Sequence, residues 1–255
     1  MTLVDEHRAQ RRFGTHAILA FVAVFVVAVP FGVLVLMVTT RAAPVIHVDQ
    51  NTSNALHAFA LHHHRFTAWM LWISRIGSPL GWWVVLTPVT CWLVYRRLHR
   101  LAAFLVVTAL GSSLLNDLTK SAVDRARPTL IDPVARAHGT SFPSGHAQAA
   151  TVGCGILVLI FLPVIGREHR RWLWLAAALV VATIGFSRIA LGVHYLSDVL
   201  GGLLIGAAWL IAMTTAFSAW QRERRRAPSG ATEGLDPDAR NQLLSETQAG
   251  QVVDT

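Results

Sequence analysis

Lysine is all but missing from this chain: Lys120 stands alone against 21 arginines in 255 residues. Charge of any sign is scarce, at 14% of residues, while 53% are hydrophobic and the mean hydropathy is positive. That balance excludes an ordinary soluble domain and fits a multi-span membrane protein. Cysteine is limited to Cys91 and Cys154, both inside apolar segments. No disulfide framework is expected, and both read as small core residues. The net charge of +8 comes from short basic clusters between apolar runs. No basic stripe with interleaved aromatics appears, which sets nucleic acid aside as a partner.

What the chain has instead is six apolar runs near the ~20 residues needed to cross a bilayer. They lie at 17–39, 79–95, 101–119, 146–165, 172–190 and 194–217. The fold class expected is all-α, a six-transmembrane-helix bundle. Arg8, Arg11 and Arg12 precede the first run, and Arg96, Arg97 and Arg100 join the second and third. Arg167, Arg170 and Arg171 join the fourth and fifth, and Arg222, Arg224, Arg225 and Arg226 follow the sixth. All four clusters fall on one side, which the positive-inside rule makes cytoplasmic. Residues 1–16 then form a cytoplasmic N-terminal segment, 17–217 the membrane domain, and 218–255 a cytoplasmic tail. That tail is polar and reads as disordered. The first run is too long for a signal-peptide core and reads as a retained anchor. Between the first two runs, Leu56, Phe59, Ala60 and Phe66 recur at helical spacing beside Trp69 and Trp72. They predict an interfacial helix on the extracytoplasmic side. No internal repeat is visible.

Three segments converge on that outer face. Lys120, Arg125, Arg127 and Pro128 leave the third run. The stretch SFPSGHA puts Ser144, Gly145 and His146 at the start of the fourth. FSRIALGVHYLSD puts Arg188 at the end of the fifth, with His194 and Asp198 opening the sixth. Charges beside a span are costly unless paired or functional. These types suit a phosphate: arginine presents a planar fork, and lysine a compact point charge that can follow a moving oxygen. Ser144 and Gly145 sit where a helix begins, so unpaired amides, a small residue and a hydroxyl make an anion seat. His194 and Asp198 share a helix face at i, i+4, so the carboxylate can hold one ring nitrogen while the other attacks phosphorus. His146 is then available to protonate the leaving oxygen.

Each feature has a plainer reading. Interfacial arginines snorkel, His–Asp pairs at i, i+4 form structural hydrogen bonds, and PSG is a common helix start. Their coincidence on one face of correctly oriented spans is what favours chemistry. His62, His63 and His64 resemble a metal site, but consecutive residues on a helix point apart, and no metal is expected there. Gly201, Gly202 and Gly206 read as close-packing positions between helices. Asp117 and Asp124 balance the charge of Lys120.

These residues resemble the signature of the type 2 phosphatidic acid phosphatase superfamily. Its first part, K, six residues, RP, is matched by Lys120, Arg127 and Pro128. Its second, PSGH, is matched by Pro143 to His146. Its third, SR, five residues, H, three residues, D, is matched by Ser187, Arg188, His194 and Asp198. The six-run frame fits the integral-membrane branch, which includes undecaprenyl-diphosphatase-like enzymes. The resemblance implies His194 as nucleophile forming a phosphohistidine, oriented by Asp198. His146 is implied as acid for the leaving group and later base for water. Lys120, Arg127, Ser144, Gly145 and Arg188 would hold the phosphate and its developing charge, with Arg125 a secondary contact. No cofactor is implied, and the chain offers no acidic cluster of the kind magnesium needs.

The substrate expected is a membrane lipid phosphate reached from the outer leaflet: phosphatidate, phosphatidylglycerophosphate or a polyprenyl diphosphate. Composition points to a bacterial inner membrane. Two alternatives stay open: transfer of the phosphoryl group to another lipid, and a transporter that only binds. The second is weakened by the missing repeat. Oligomeric state is left open.

Overall fold

The computed structural model describes Val22 and residues 25–226, with side chains as far as Ser218. The expected segment 1–16, the start of the first run and the tail beyond 226 lie outside the described residues. Within the described residues all regular structure is helical: α1 (Phe25–Thr39), α2 (Ala43–His62), α3 (His64–Ile76), α4 (Pro79–Tyr95), α5 (His99–Val123), α6 (Gly145–Phe161), α7 (Arg170–Ala190) and α8 (Leu196–Arg226). Two compact units divide the chain, Met1–Thr215 and Ala216–Thr255. The first carries α1 to α7 and most of α8. The described part of the second is the end of α8.

Local chemistry sets the helix ends. Pro79 opens α4, and the Ser78 hydroxyl accepts the Gly81 N–H at 3.0 Å, satisfying one of the orphan donors of the first turn. At the other end of α5 the chain turns at Asp124, a left-handed residue with φ 43° whose N–H donates to the Lys120 carbonyl at 2.9 Å. Lys120 therefore sits in the last turn of α5, immediately before the chain leaves it.

Every apolar run expected from the sequence carries a helix. Three of these (α5, α7 and the Leu196–Ser218 part of α8) are long and apolar enough to cross a membrane. The number rises to five if each of the bent pairs α1–α2 and α3–α4 counts as one span. α6 is apolar but has 17 residues, about 26 Å at ~1.5 Å per residue, somewhat short of a ~30 Å hydrocarbon core. The all-helical membrane architecture is present, with three to five crossings supported by length and hydropathy.

The connection after α1 differs from the single helix expected. It is two helices broken at His63, α2 turning 85° from α1 and α3 turning 48° from α4. On α2 the buried side chains are Asp49, Ser53, His57 and Ala60, a mostly polar seam at helical spacing. The aromatics face outward: Phe59, Trp69 and Trp72 are 46%, 67% and 61% exposed. This is the reverse of a water-soluble amphipathic helix, and it follows from what the inward polar groups bind, described below.

α6 lies at the centre, with ten of its residues buried, and Ala147 packs with Ile189 of α7 and Val199 of α8. α8 crosses the start of α6 closely. A Cβ on Gly202 would stand 2.5 Å from the Ser144 carbonyl oxygen, so the close approach requires glycine. That contact brings the first turn of α8, with Asp198, against the first turn of α6, and the Ser144 N–H donates to the Asp198 carbonyl at 2.9 Å.

Candidate active site

The ends of four helices supply the site. Lys120 comes from the last turn of α5, His146 from the first turn of α6, Arg188 from the last turn of α7 and Asp198 from the first turn of α8. His194 sits in the short connection between α7 and α8, its N–H directed at the Arg188 carbonyl at 3.3 Å. Arg125 and Arg127 come from the 124–144 segment, which folds back on itself where the Ser141 N–H donates to the Arg125 carbonyl at 2.8 Å. All the residues expected from the sequence are therefore gathered at one end of the bundle.

His194 is 2% exposed. Its Nε2 lies 3.1 Å from Arg127 NH1, and its Nδ1 lies 3.4 Å from Asp198 Oδ2. Guanidinium groups only donate, so the first contact requires Nε2 to present a lone pair, and the ring proton belongs on Nδ1, facing the carboxylate. Burial pushes the imidazole down to about 4, against the opposing pull of Asp198 and with help from Arg127 and Arg188. Near neutrality it is uncharged, with the Nε2 lone pair available.

Asp198 is fully buried, and each of its carboxylate oxygens accepts a hydrogen bond. Oδ1 accepts from Arg125 NH1 at 2.6 Å, and Oδ2 accepts from the Tyr195 N–H at 2.9 Å. Arg125, expected as a secondary phosphate contact, is engaged by carboxylates on both arms, its NH2 lying 2.7 Å from Asp49 Oδ2. Burial works to lower its pKa, but Asp198 and Asp49 together outweigh that and hold it above its ordinary value.

The anion seat is built from groups with capacity to spare. Ser144 is fully buried at the N-cap of α6, yet its hydroxyl makes no cap bond and has no partner. Arg188 is 8% exposed; its NH1 donates to the Ser74 hydroxyl of α3, while its Nε has no partner. An unpaired buried polar atom costs roughly 1–3 kcal/mol, which an oxyanion at this spot would relieve. Lys120 lies within electrostatic reach of Arg127, Arg188 and Asp198, and of Asp117 on its own helix. His146 feels the charges of Arg188, His194 and Lys120, and lies beside the Ser74 backbone. Arg127 is tied to its own loop, donating through Nε to the Gly139 carbonyl at 3.0 Å and NH2 to the His138 carbonyl at 3.2 Å, and to the α7–α8 connection through NH1 to the Val193 carbonyl at 2.8 Å.

From Gly145 a cleft of about 200 Å³ runs between α4, α5 and α6. Asn116, Asp117 and Gln148 line its polar part, and Trp82, Leu86 and Val152 its apolar part. Beneath Gly145 the Asn116 amide donates to Gln148 Oε1 at 2.7 Å, and Gln148 Nε2 donates to the Ser112 carbonyl at 2.8 Å. The histidine run stays outside this arrangement: His62 and His63 each set Nδ1 against a carbonyl of α2, both at 2.8 Å.

Sequence reading missed Asp49, Ser74, Ser197 and Tyr195. For Asp49 a signal existed. It is the only acidic residue between Arg41 and Ser78, placed opposite an aromatic stripe, and an isolated carboxylate in an apolar helix needs a partner.

Residues 100–222 match the PAP2 superfamily. Phosphatidylglycerophosphatase B of Bacillus subtilis (strain 168) is 33% identical over 96 residues, which is 36% of this chain and 46% of that protein. Undecaprenyl-diphosphatase of Sulfolobus acidocaldarius is 26% identical over 149 residues, 55% of this chain and 65% of that one. The chain thus spans about half to two thirds of the length of these relatives. In three dimensions it is similar to the crystal structure of a transmembrane PAP2-type phosphatidylglycerolphosphate phosphatase from Bacillus subtilis. The TM-score is 0.65 at 22% identity, covering 81% of this chain and 99% of that one. With its lysine, its arginines and its two histidines gathered at the helix ends, this chain is similar to the PAP2 superfamily over residues 100–222.

Proposed function

We propose that the protein is an integral-membrane phosphatase that hydrolyses a lipid phosphate monoester or diphosphate through a phosphohistidine on His194. The observation that carries this reading is the pairing of a lone-pair-bearing Nε2 with two buried orphan groups, Ser144 Oγ and Arg188 Nε, beside a cleft with an apolar wall. In the first step Nε2 attacks phosphorus, the bond to the leaving oxygen breaks, and His146, entering as the imidazolium beside the bound phosphate, gives that oxygen its proton and becomes neutral. In the second step water attacks phosphorus, His146 takes the proton, and the electron pair of the P–N bond returns to Nε2. Lys120, Arg127, Arg188, Ser144 and the Gly145 amide hold the three phosphoryl oxygens, whose charge grows in the transition state. Arg127 NH1, now on Nε2, donates to a phosphoryl oxygen once substrate sits there.

The lipid part of the substrate occupies the cleft. The names of the relatives, a phosphatidylglycerophosphatase and an undecaprenyl-diphosphatase, support this class. Burying a methylene is worth ~0.8 kcal/mol, so about four of them give roughly 100-fold. Purified protein should therefore show kcat/KM at least about 100-fold higher on one of phosphatidate, phosphatidylglycerophosphate or a polyprenyl diphosphate than on p-nitrophenyl phosphate. Equal values across the panel would remove the lipid assignment. Turnover should also survive excess EDTA, because the carboxylates at the site, Asp198 and Asp49, are already taken by Arg125, Ser197 and the Tyr195 N–H. Loss with EDTA and recovery with magnesium would sink the mechanism.

The arginine clusters support six crossings of a bacterial inner membrane, both ends cytoplasmic. The site and the α2–α3 pair then lie at the outer face, with Phe59, Trp69 and Trp72 in lipid. In a background lacking Cys91 and Cys154, a cysteine at Ile131 should react with an impermeant thiol reagent on whole cells, and one at Glu168 should not. The opposite pattern would move the site to the cytosol.

A further inference from the structure

Asp49 lies on α2, outside the segment that matches the family, and in no signature motif. It is 1% exposed, and everything around it leads to Asp198. Its Oδ1 accepts the Ser197 N–H at 2.9 Å; its Oδ2 accepts the Ser197 hydroxyl and Arg125 NH2, the latter at 2.7 Å. Arg125 NH1 goes to Asp198 Oδ1 and to Ser197 Oγ, each at 2.6 Å. The Tyr195 ring covers the guanidinium at 4.4 Å. A carboxylate–guanidinium–carboxylate chain therefore runs from α2, through the 124–144 segment, to the first turn of α8.

Stability alone does not explain this chain. Desolvating three charges offsets most of their mutual attraction, and apolar residues of similar volume would hold the helices as well. Its distinctive consequence is geometric. A guanidinium facing one carboxylate takes both oxygens in a two-pronged grip. Here Asp49 holds one prong, so Arg125 reaches Asp198 through NH1 on Oδ1, leaving Oδ2 turned toward His194 Nδ1 at 3.4 Å.

We propose that Asp49 is a positioning residue of the reaction: it restricts Arg125 to a one-oxygen grip on Asp198 and so keeps Oδ2 on the Nδ1 side of His194, fixing the tautomer that leaves Nε2 to attack. The inference rests on the phosphatase reading given above. Asp49 reaches no phosphate; it acts through Arg125 and Asp198. A helix outside the matched segment is thereby a working part of the site.

The test uses the full chain in detergent or nanodiscs, with Asp49→Asn as an isosteric change. Removing the charge frees Arg125 to take both oxygens of Asp198, and a misplacement of about 1 Å can cost about 10²-fold in rate. Expected is a fall in kcat of about 10- to 100-fold with KM within about threefold. On an Asp198→Ala background the same change should cost nothing further, because the residue it acts through is gone. A 15N-histidine spectrum gives a readout without turnover. The His194 signal, identified by its loss in His194→Ala, should show the Nδ1–H tautomer in the wild type and a mixture in Asp49→Asn. Should Asp49→Asn fail to fold, Ser197→Ala, which loosens Asp49 and Arg125 together, should give the same kcat-only defect and tautomer mixing. The proposal is overturned if kcat per folded molecule and the tautomer are unchanged, or if the loss adds fully to that of Asp198→Ala. If wild type releases no phosphate from any substrate, the phosphatase reading fails, and the tautomer comparison still decides the role of Asp49.

Discussion

His194→Ala should abolish phosphate release from every substrate, including activated esters, with kcat lowered by about 10⁴-fold or more. Nucleophile losses of that order are what remain when binding and oxyanion stabilisation are left intact. The variant keeps Lys120, Arg127 and Arg188, so substrate should still bind, and rapid-quench experiments should find no phosphoryl group on the protein. The buried setting of the ring adds a pH signature. Burial holds the His194 pKa at about 4, below its ordinary value, so the nucleophile stays neutral well into acid. The step that forms the phosphohistidine should keep its rate as pH falls from 7 to about 5 and drop only as pH nears 4. An acid limb with a midpoint near the ordinary histidine value of about 6.5 would mean that this imidazole is not held as described. Near wild-type turnover of p-nitrophenyl phosphate by His194→Ala would mean that another group attacks phosphorus.

How far the sequence reveals this site depends on how local each relationship is. His194 and Asp198 are four apart at a helix start, Ser144 to His146 open α6, and Lys120 closes α5. In each case helical periodicity and one terminus fix which way the group faces, so types and spacing suffice. Arg125 is different. Its meaning depends on Asp49, 76 residues earlier, and without that partner any exposed arginine beside a phosphate seat reads as one more phosphate contact. The aromatic stripe and the helical character of the first connection are legible in sequence, but not its division into α2 and α3. Its polar side is not legible, because polar residues normally mark the solvated face, whereas Asp49, Ser53 and His57 turn inward, where His57 Nε2 meets the Ile131 carbonyl at 2.7 Å. The break at His63 has no glycine or proline to mark it in sequence.

Polar contacts from the two helices of that connection also explain why they are placed as they are. α2 delivers Asp49 to the Asp198 side of the site, and α3 delivers Ser74 to Arg188 and His146. In the proposed mechanism His194 is thus steadied from one helix and His146 from the other. The aromatic faces of the two helices are left for the surroundings. The α2–α3 connection is in this sense the frame of the proposed site, and the ends of α5, α6, α7 and α8 supply its reactive groups.

The two histidines should fail in different ways. His146→Ala removes a proton donor and leaves the attacking atom in place, so its defect should track how badly the leaving group needs a proton. General acid assistance is worth roughly 10²–10⁴-fold. An alkoxide leaving a lipid monoester is strongly basic and needs all of it. Nitrophenolate, or the phosphate that leaves a diphosphate, is far less basic and needs little. In His146→Ala the step that forms the phosphohistidine should therefore lose about 10²–10⁴-fold on phosphatidate and only about tenfold or less on p-nitrophenyl phosphate. With the activated ester a second consequence follows. Formation of the phosphohistidine stays fast, but its hydrolysis lacks the base that takes the proton from water. Phosphate should then accumulate on His194, visible as a burst of nitrophenolate equal to the enzyme present, followed by slow turnover. A small nucleophile such as hydroxylamine, which needs no base, should restore turnover of the trapped enzyme. Equal losses across leaving groups, with no burst, would show that His146 positions the phosphoryl group through its place beside Arg188 and Lys120 and transfers no proton.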